Sequence, residues 1–288
     1  MQAVNKHYNT FFPITQPFRE NFFLKGKTRK AHATAPVGLT FSKVRYIINK
    51  NPLRIGVFLV NEQNLTALQA ELKSLATELG ADLVGFCAFD APPYSEAPNL
   101  THAISIAVKL ADGVLSTIDG APSFMYFQHY RTANALLDNV AFRLARALEK
   151  HGFTALPVAA SQSLGKNNPY RGLVAHKTAA VLSGLGFVGK SGLFLSTEYG
   201  SKVRLATILT DCPVQSERPV IENGCGNCTV CQKACPAGAI YGELPTANGE
   251  RNFDAEKCSK YMKEHFQDVG RGSVCGVCIK VCPKNQLR

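Results

Sequence analysis

Eight of the chain's ten cysteines fall between Cys225 and Cys282, and their spacing carries the clearest chemistry in the sequence. The first run reads Cys225-Gly-Asn-Cys228-Thr-Val-Cys231-Gln-Lys-Ala-Cys235-Pro236, a C-x2-C-x2-C-x3-C-P pattern without deviation. Cysteines at successive three-residue steps on a tight loop can put thiolates on three corners of an iron–sulfur cubane. The fourth, expected to open a helix that points away, ligates a second cluster. A partial copy follows: Cys258, then Cys275-Gly-Val-Cys278-Ile-Lys-Val-Cys282-Pro283. Cys258 replaces the missing close cysteine. The expected ligand sets are Cys225, Cys228, Cys231 and Cys282 for one 4Fe–4S cluster, and Cys235, Cys258, Cys275 and Cys278 for the other. Zinc also uses C-x2-C pairs, but it separates two such pairs by a longer spacer, which this run lacks.

A second constellation, Gly184-Leu-Gly186-Phe-Val-Gly189-Lys190-Ser191, fits two phosphate-binding patterns at once, G-x-G-x-x-G and G-x-x-x-x-G-K-S. Asp211, at the end of an apolar run, could pass as a magnesium-binding aspartate. Context opposes a nucleotide site. A phosphate loop comes after a strand and opens a long helix. Here an Ala-rich helical pattern precedes the loop, and Gly200 comes too early to leave room for such a helix. The glycines instead license a close approach of backbone to a ligand or a neighbouring element. Of the remaining cysteines, Cys87 sits in an apolar run and reads as core, and Cys212 falls at a junction.

The elements that must position these groups are legible from periodicity. Leu65, Leu68, Leu72, Leu75 and Leu79 form one helical stripe, with Asn61 or Asn64 as a cap and Gly80 as a stop. Strands are expected near 83–89 and 102–110, followed by a Gly/Pro/Ser loop over 112–123. A second helix over 132–151 carries Leu136, Val140, Leu144 and Leu148. Further expectations are a strand at 153–160, a helix at 173–185, and strands at 193–196 and 203–210. This alternation implies an α/β or α+β domain. From Cys212 the composition shifts toward Gly, Pro and Cys, so a boundary is expected near Pro213–Asn223. The expected domains are a basic extension over 1–60, an α/β domain over 61–212 and a cluster domain over 213–288.

Composition narrows the function class. A hydrophobic fraction of 45% is that of a globular chain, not a disordered one. The formal charge of +11 concentrates in residues 1–60, which hold ten Lys/Arg and one acid, so the remainder is nearly neutral. A basic N-terminal segment with scattered turn formers is expected to lie outside the working core, and nucleic-acid binding is disfavoured for the body. No apolar run approaches a membrane span. Clustered cysteines without a signal peptide indicate a reducing compartment, expected to be the cytoplasm.

With the double-cysteine ending and the glycine run in hand, residues 61–288 resemble the epoxyqueuosine reductase family, cobalamin- and iron–sulfur-dependent enzymes distantly similar to reductive dehalogenases. The resemblance is carried by Ala175-His-Lys-Thr-Ala-Ala through Gly184-Leu-Gly-Phe-Val-Gly-Lys, by Glu198-Tyr-Gly, by Ile208-Leu-Thr-Asp211 and by both cysteine runs. It implies an α+β architecture: an N-terminal α/β corrinoid-binding-type domain followed by a ferredoxin-like double 4Fe–4S domain. It also implies cobalamin near Gly184, Gly186, Gly189 and Lys190, and a low-potential electron donor of ferredoxin or flavodoxin type. The family's Asp-Tyr-His proton-donor motif is replaced here by Tyr126-Phe-Gln-His129-Tyr130-Arg131, so His129 or Tyr130 is the expected proton donor. The resemblance also implies a short variant, in which the C-terminal extension that recognises tRNA in full-length members is expected to be missing. A small-molecule or modified-nucleoside substrate is therefore expected ahead of tRNA. The alternative is a ferredoxin-like electron carrier that docks a partner and binds no corrinoid.

Overall fold

The computed structural model describes residues 45–46, 59–60, 62–162, 165, 170–244 and 253–286. Of the basic segment 1–60 only two short paired strands are among them, β1 (Arg45–Tyr46) and β2 (Leu59–Val60). Its expected place outside the working core concerns residues beyond those described, as does the capping role of Asn61.

From α1 (Glu62–Glu78) onward the chain lays down β3 (Leu83–Ala88), β4 (His102–Lys109), α2 (Asp112–Ser116), α3 (Phe124–Lys150) and β5 (Ala155–Val158). Then come α4 (His176–Leu182), β6 (Gly186–Val188), β7 (Phe194–Ser196) and β8 (Val203–Thr210). Strands β3, β4, β8 and β5 form one sheet in that order, and every pairing is antiparallel. The fold is thus mixed, with an antiparallel sheet at its centre.

Both faces of that sheet are covered, which explains why its strands are apolar runs without polar alternation. Val84, Phe86, Ile104, Ile106, Ala206 and Ile208 point to one face and pack with Leu68 and Leu72 of α1 and Leu137, Leu144 and Leu148 of α3. The intervening residues Leu83, Ala107 and Leu205 face the other side, with Ala180 of α4 and Leu185. Leucines at zero exposure, such as Leu137 and Leu144, each contribute about 1.5–3 kcal/mol by burial. The same core extends beyond residue 213, since Val277, Ile279 and partly buried Ala234 and Val281 join it. Residues Val44–Arg288 form one compact unit.

Several elements depart from expectation, among them α2, a short helix inside the loop expected over 112–123. Helix α3 begins at Phe124, not near Thr132, because Ser123 caps it by accepting from the Tyr126 amide at 3.0 Å. The first two turns bury Tyr126 and Phe127 against the cysteine-bearing segment, where Gly270 and Gly276 make room for them. Leu136, expected on the buried stripe, is exposed, and Leu137 takes its place.

The glycine run is also not a simple loop. Residues 186–188 pair with 194–196 in a tight antiparallel hairpin. No helix follows it, so the context of a phosphate loop is absent, and the Asp211 carboxylate instead accepts from the Thr154 amide at 2.8 Å. A Cβ on Gly186 would run into the Leu195 carbonyl across the hairpin. Gly186→Ala is therefore expected to cost about 3 kcal/mol and to lower Tm by about 6–12 °C. A thermal melt followed by circular dichroism measures this, and an unchanged Tm would mean the hairpin yields freely.

Candidate functional site

None of the ten cysteines forms a disulfide. The loop 225–229 leads into α5 (Val230–Ala234), which contains Cys231, and Cys235 is the residue that ends this helix. The expectation that Cys235 opens a helix is corrected. The helix instead starts between Cys228 and Cys231, at Val230, after a turn between Cys225 and Cys228. Helix α6 (Ala255–His265) carries Cys258 and is capped by Asp254, whose side chain accepts from the Lys257 amide at 2.8 Å. Gly276 adopts φ 80, which lets the chain turn sharply into α7 (Val277–Lys280), carrying Cys278. Cys282 comes next, just before the 3-10 turn Pro283–Gln286.

The eight thiols gather in two sets. Cys282 lies within electrostatic reach of Cys225 and Cys228, and Cys231 within reach of Cys282, Cys225 and Cys228. Cys258 feels Cys235 and Cys275, and Cys278 feels Cys275, Cys258 and Cys235 most strongly among the cysteines. Each set thus takes one member, Cys282 or Cys235, from the other cysteine run. Cys225, Cys228, Cys231 and Cys282 wall a small cavity together with Lys190, Ser191, Leu195, Pro283 and Lys284. Among the described residues, no three His, Cys, Asp or Glu side chains converge on a point as ligands of a single ion would. Thiols set around a space suit a cubane's corners.

Burial pushes the Cys258 thiol up to about 12 and raises Cys231, Cys275, Cys278 and Cys282 as well. Sulfurs so placed ionise when iron supplies the compensating charge. The donor set therefore fits iron–sulfur clusters. Burial likewise raises Cys87 to about 11 and Cys212 to about 12. Both are core residues with no part in either set.

A larger cavity of about 760 Å³ opens between the sheet edge, the segment 170–177, the β6–β7 hairpin and the cysteine segment. Its lining includes Arg171, Lys177 and Arg204 and no Asp or Glu among the described residues. Arg204 rises from β8 and is clamped: Nε donates to Asn134 Oδ1 at 2.9 Å, and Nη2 donates to the Tyr130 hydroxyl and the Ala160 carbonyl at 3.2 Å each. Its guanidinium also lies 4.3 Å from the Tyr130 ring centre. His176 has both ring nitrogens engaged, with Thr207 Oγ1 at 2.8 Å and the Ala159 carbonyl at 3.0 Å, and burial pushes its pKa down. It is a neutral, fixed wall of the cavity.

The expected site residues separate. Tyr130 reaches the cavity wall through Arg204 and lies 3.4 Å from the hydroxyl of Ser161, another lining residue. His129 lies elsewhere: its Nε2 accepts from the Ala111 amide at 3.0 Å and so pins the start of α2. Gly189 lines the large cavity, whereas Gly184 and Gly186 do not. Gly184, at φ 65, packs tightly on Arg218 and Pro219, and Gly186 on Leu195. Lys190 faces the first cysteine set. His176 and Arg204 are not singled out by sequence reasoning. Arg204 had a signal, a lone cation inside the apolar run 203–210.

Residues 224–285 match the 4Fe-4S double cluster binding domain family. The chain is 35% identical over 124 residues to the epoxyqueuosine reductase of Lactococcus garvieae, covering 40% of this chain and 33% of that enzyme. It is 27% identical over 258 residues to the one from Vibrio cholerae, covering 76% and 68%. With the enzymes from Staphylococcus aureus and Synechocystis the matched part is 30% and 41% of their length, so the chain spans well under two thirds of several relatives. In fold it is similar to a reductive dehalogenase whose structure suggests a mechanism for B12-dependent dehalogenation, with TM-score 0.62, 24% identity, and 78% of this chain and 36% of that one covered. The chain is thus similar to epoxyqueuosine reductases, with a mixed α/β fold and residues 224–285 that match a 4Fe-4S double cluster binding domain.

Proposed function

We propose that this protein is a corrinoid-dependent iron–sulfur reductase, with residues 61–212 holding the corrinoid and residues 213–288 the clusters. The observation that carries the reading is adjacency. Gly189 lines the large cavity, and a Cβ placed on it would lie 3.1 Å from Cys225 Sγ. The first cysteine set thus backs directly onto the space where a cofactor would sit. Cys225, Cys228, Cys231 and Cys282 would hold the cluster next to the cavity, and Cys235, Cys258, Cys275 and Cys278 the outer one. A cavity of about 760 Å³ suits a large cofactor.

When bound, the corrinoid supplies a reducible cobalt centre, and the clusters supply it with single electrons from a low-potential donor of ferredoxin or flavodoxin type. The chain's own residues do the rest. Tyr130 holds a proton on its hydroxyl at the cavity wall. Arg204, gripped by Asn134 and the Ala160 carbonyl, stands beside the oxygen that bears the charge once that proton has left. His176, held on both ring nitrogens, keeps one wall of the cavity fixed. A modified nucleoside such as that of the related reductases, free or in tRNA, is the substrate this assigns, in the cytoplasm, where thiols stay reduced. Among the described residues no helix is long and apolar enough to cross a membrane.

Anaerobic purification followed by iron, sulfide and cobalt analysis and an absorption spectrum tests the reading. The expected result is about eight irons per chain and, after incubation with cobalamin, about one cobalt retained through gel filtration. Full clusters with no cobalt retained would leave an electron carrier in place of the reductase.

A further inference from the structure

Lys190 occupies the lysine position of a phosphate-loop pattern, yet the described residues around it form no phosphate site. Its side chain lies in the wall of the small cavity formed by Cys225, Cys228, Cys231 and Cys282. The residue is only 9% exposed, among the most buried charged groups of the described chain. Its one side-chain hydrogen bond among the described residues goes from Nζ to the Cys228 carbonyl at 3.3 Å. No carboxylate pairs with it, since the ion pairs of the described residues all involve other cations. A buried cation without a counter-charge is costly, and proteins keep such a group only against a partner or a metal centre.

The negative charge this site can offer is that of the thiolates themselves. A cubane held by four thiolates is anionic, and it becomes more so when it takes an electron. Lys284 adds a second, half-buried cation on the same cavity. The other cysteine set differs. The charged side chain felt by Cys258 is a carboxylate, Asp254. Lys257 and Lys260 beside it are exposed, where solvent and salt screen them.

We propose that Lys190 is a positioning residue for the cavity-side cluster, a built-in counter-charge that holds this cluster's reduction potential above that of the outer one. A fixed cation beside a redox centre stabilises the form with the extra electron. The lysine thereby makes the electron's move from the outer to the inner cluster downhill, toward the cavity. This rests on the ligand sets given above. It assigns the lysine of the glycine run to electron flow and not to phosphate.

The test is a potentiometric titration with dithionite, followed by electron paramagnetic resonance, on anaerobically reconstituted full-length chain. About eight irons in the wild type are the precondition. Failure there sinks the ligand sets, and the role of Lys190 with them. With the clusters in place, Lys190→Met should lower the reduced-to-oxidised ratio of one cluster at least about tenfold at a fixed potential, a shift of about 59 mV for one electron. The second cluster should keep its potential, and Lys190→Arg should restore the first. If Lys190→Met sheds the inner cluster while Lys190→Arg keeps it at the wild-type potential, the need for charge is equally supported. Unchanged potentials in a fully loaded Lys190→Met protein, equal shifts of both clusters, or loss of the cluster in both variants would overturn the proposal.

Discussion

Cys282→Ser is expected to remove the cluster bounded by Cys225, Cys228 and Cys231, and to leave intact the one whose ligands Cys275 and Cys278 lie nearest it in sequence. Iron should fall from about eight to about four per chain, with sulfide in step. The reasoning is geometric. Cys282 is close in sequence to Cys275 and Cys278, yet its thiol lies with Cys225 and Cys228 on the wall of one small cavity. The chain carries it there because α7 is a single turn that ends at Lys280, after which the backbone leaves toward the β6–β7 hairpin. Asn285 fixes that exit: its side-chain oxygen accepts from the Ser201 amide and hydroxyl at 3.0 Å each, and its amide donates to the Ile279 carbonyl at 2.6 Å. Cys235→Ser should do the reverse and remove the cluster of Cys258, Cys275 and Cys278. The two variants, read by iron content and by paramagnetic resonance of the surviving cluster, form a matched pair. If each variant instead loses the cluster next to it in sequence, the chain folds as two independent halves and the crossed ligand sets are wrong. If each loses both, assembly is cooperative, and retention of one cluster after mild reconstitution decides between the arrangements.

How much of the molecule is legible in the sequence differs by element, for physical reasons. The stripe Leu65, Leu68, Leu72, Leu75 and Leu79 and the β-branched run expected over 102–110 mark α1 and β4 within a residue or two, because both patterns extend over many residues. The antiparallel order of the central sheet is not legible. Strands covered on both faces lose the alternation that distinguishes one arrangement from another. The glycine run reads as a loop because a three-residue strand leaves no periodic trace, and its pairing with 194–196 depends on the space at Gly186. The first turns of α3 escape for the opposite reason. Tyr126 and Phe127 are buried by a segment more than a hundred residues away, a contact no local pattern encodes. The cysteine spacing states its chemistry outright, since cluster geometry constrains sequence directly. Arg204 and His176 emerge only with the fold, because what matters in them is which side chains clamp them.

Tyr130→Phe is expected to reduce turnover by about 10²–10⁴-fold, the range for losing a positioned general acid. Both clusters and any bound corrinoid should be retained. The substitution removes one oxygen and keeps the ring against the Arg204 guanidinium. Arg204 still has Asn134 and the Ala160 carbonyl to hold it, so the cavity wall should stand. His129→Gln makes the informative comparison. The role of His129 is to accept from the Ala111 amide, which a glutamine oxygen can also do, so turnover should stay within about tenfold of the parent. Single-turnover reduction of an epoxyqueuosine-bearing RNA stem-loop, driven by dithionite on cobalamin-loaded protein, reads both variants. A tyrosine that merely packs would lower stability and turnover together, whereas a proton donor lowers turnover and leaves Tm and cofactor content where they were. If His129→Gln is the more damaged of the two, the proton comes from the α2–α3 corner. The clamp on Arg204 would then be an architectural feature of the cavity floor.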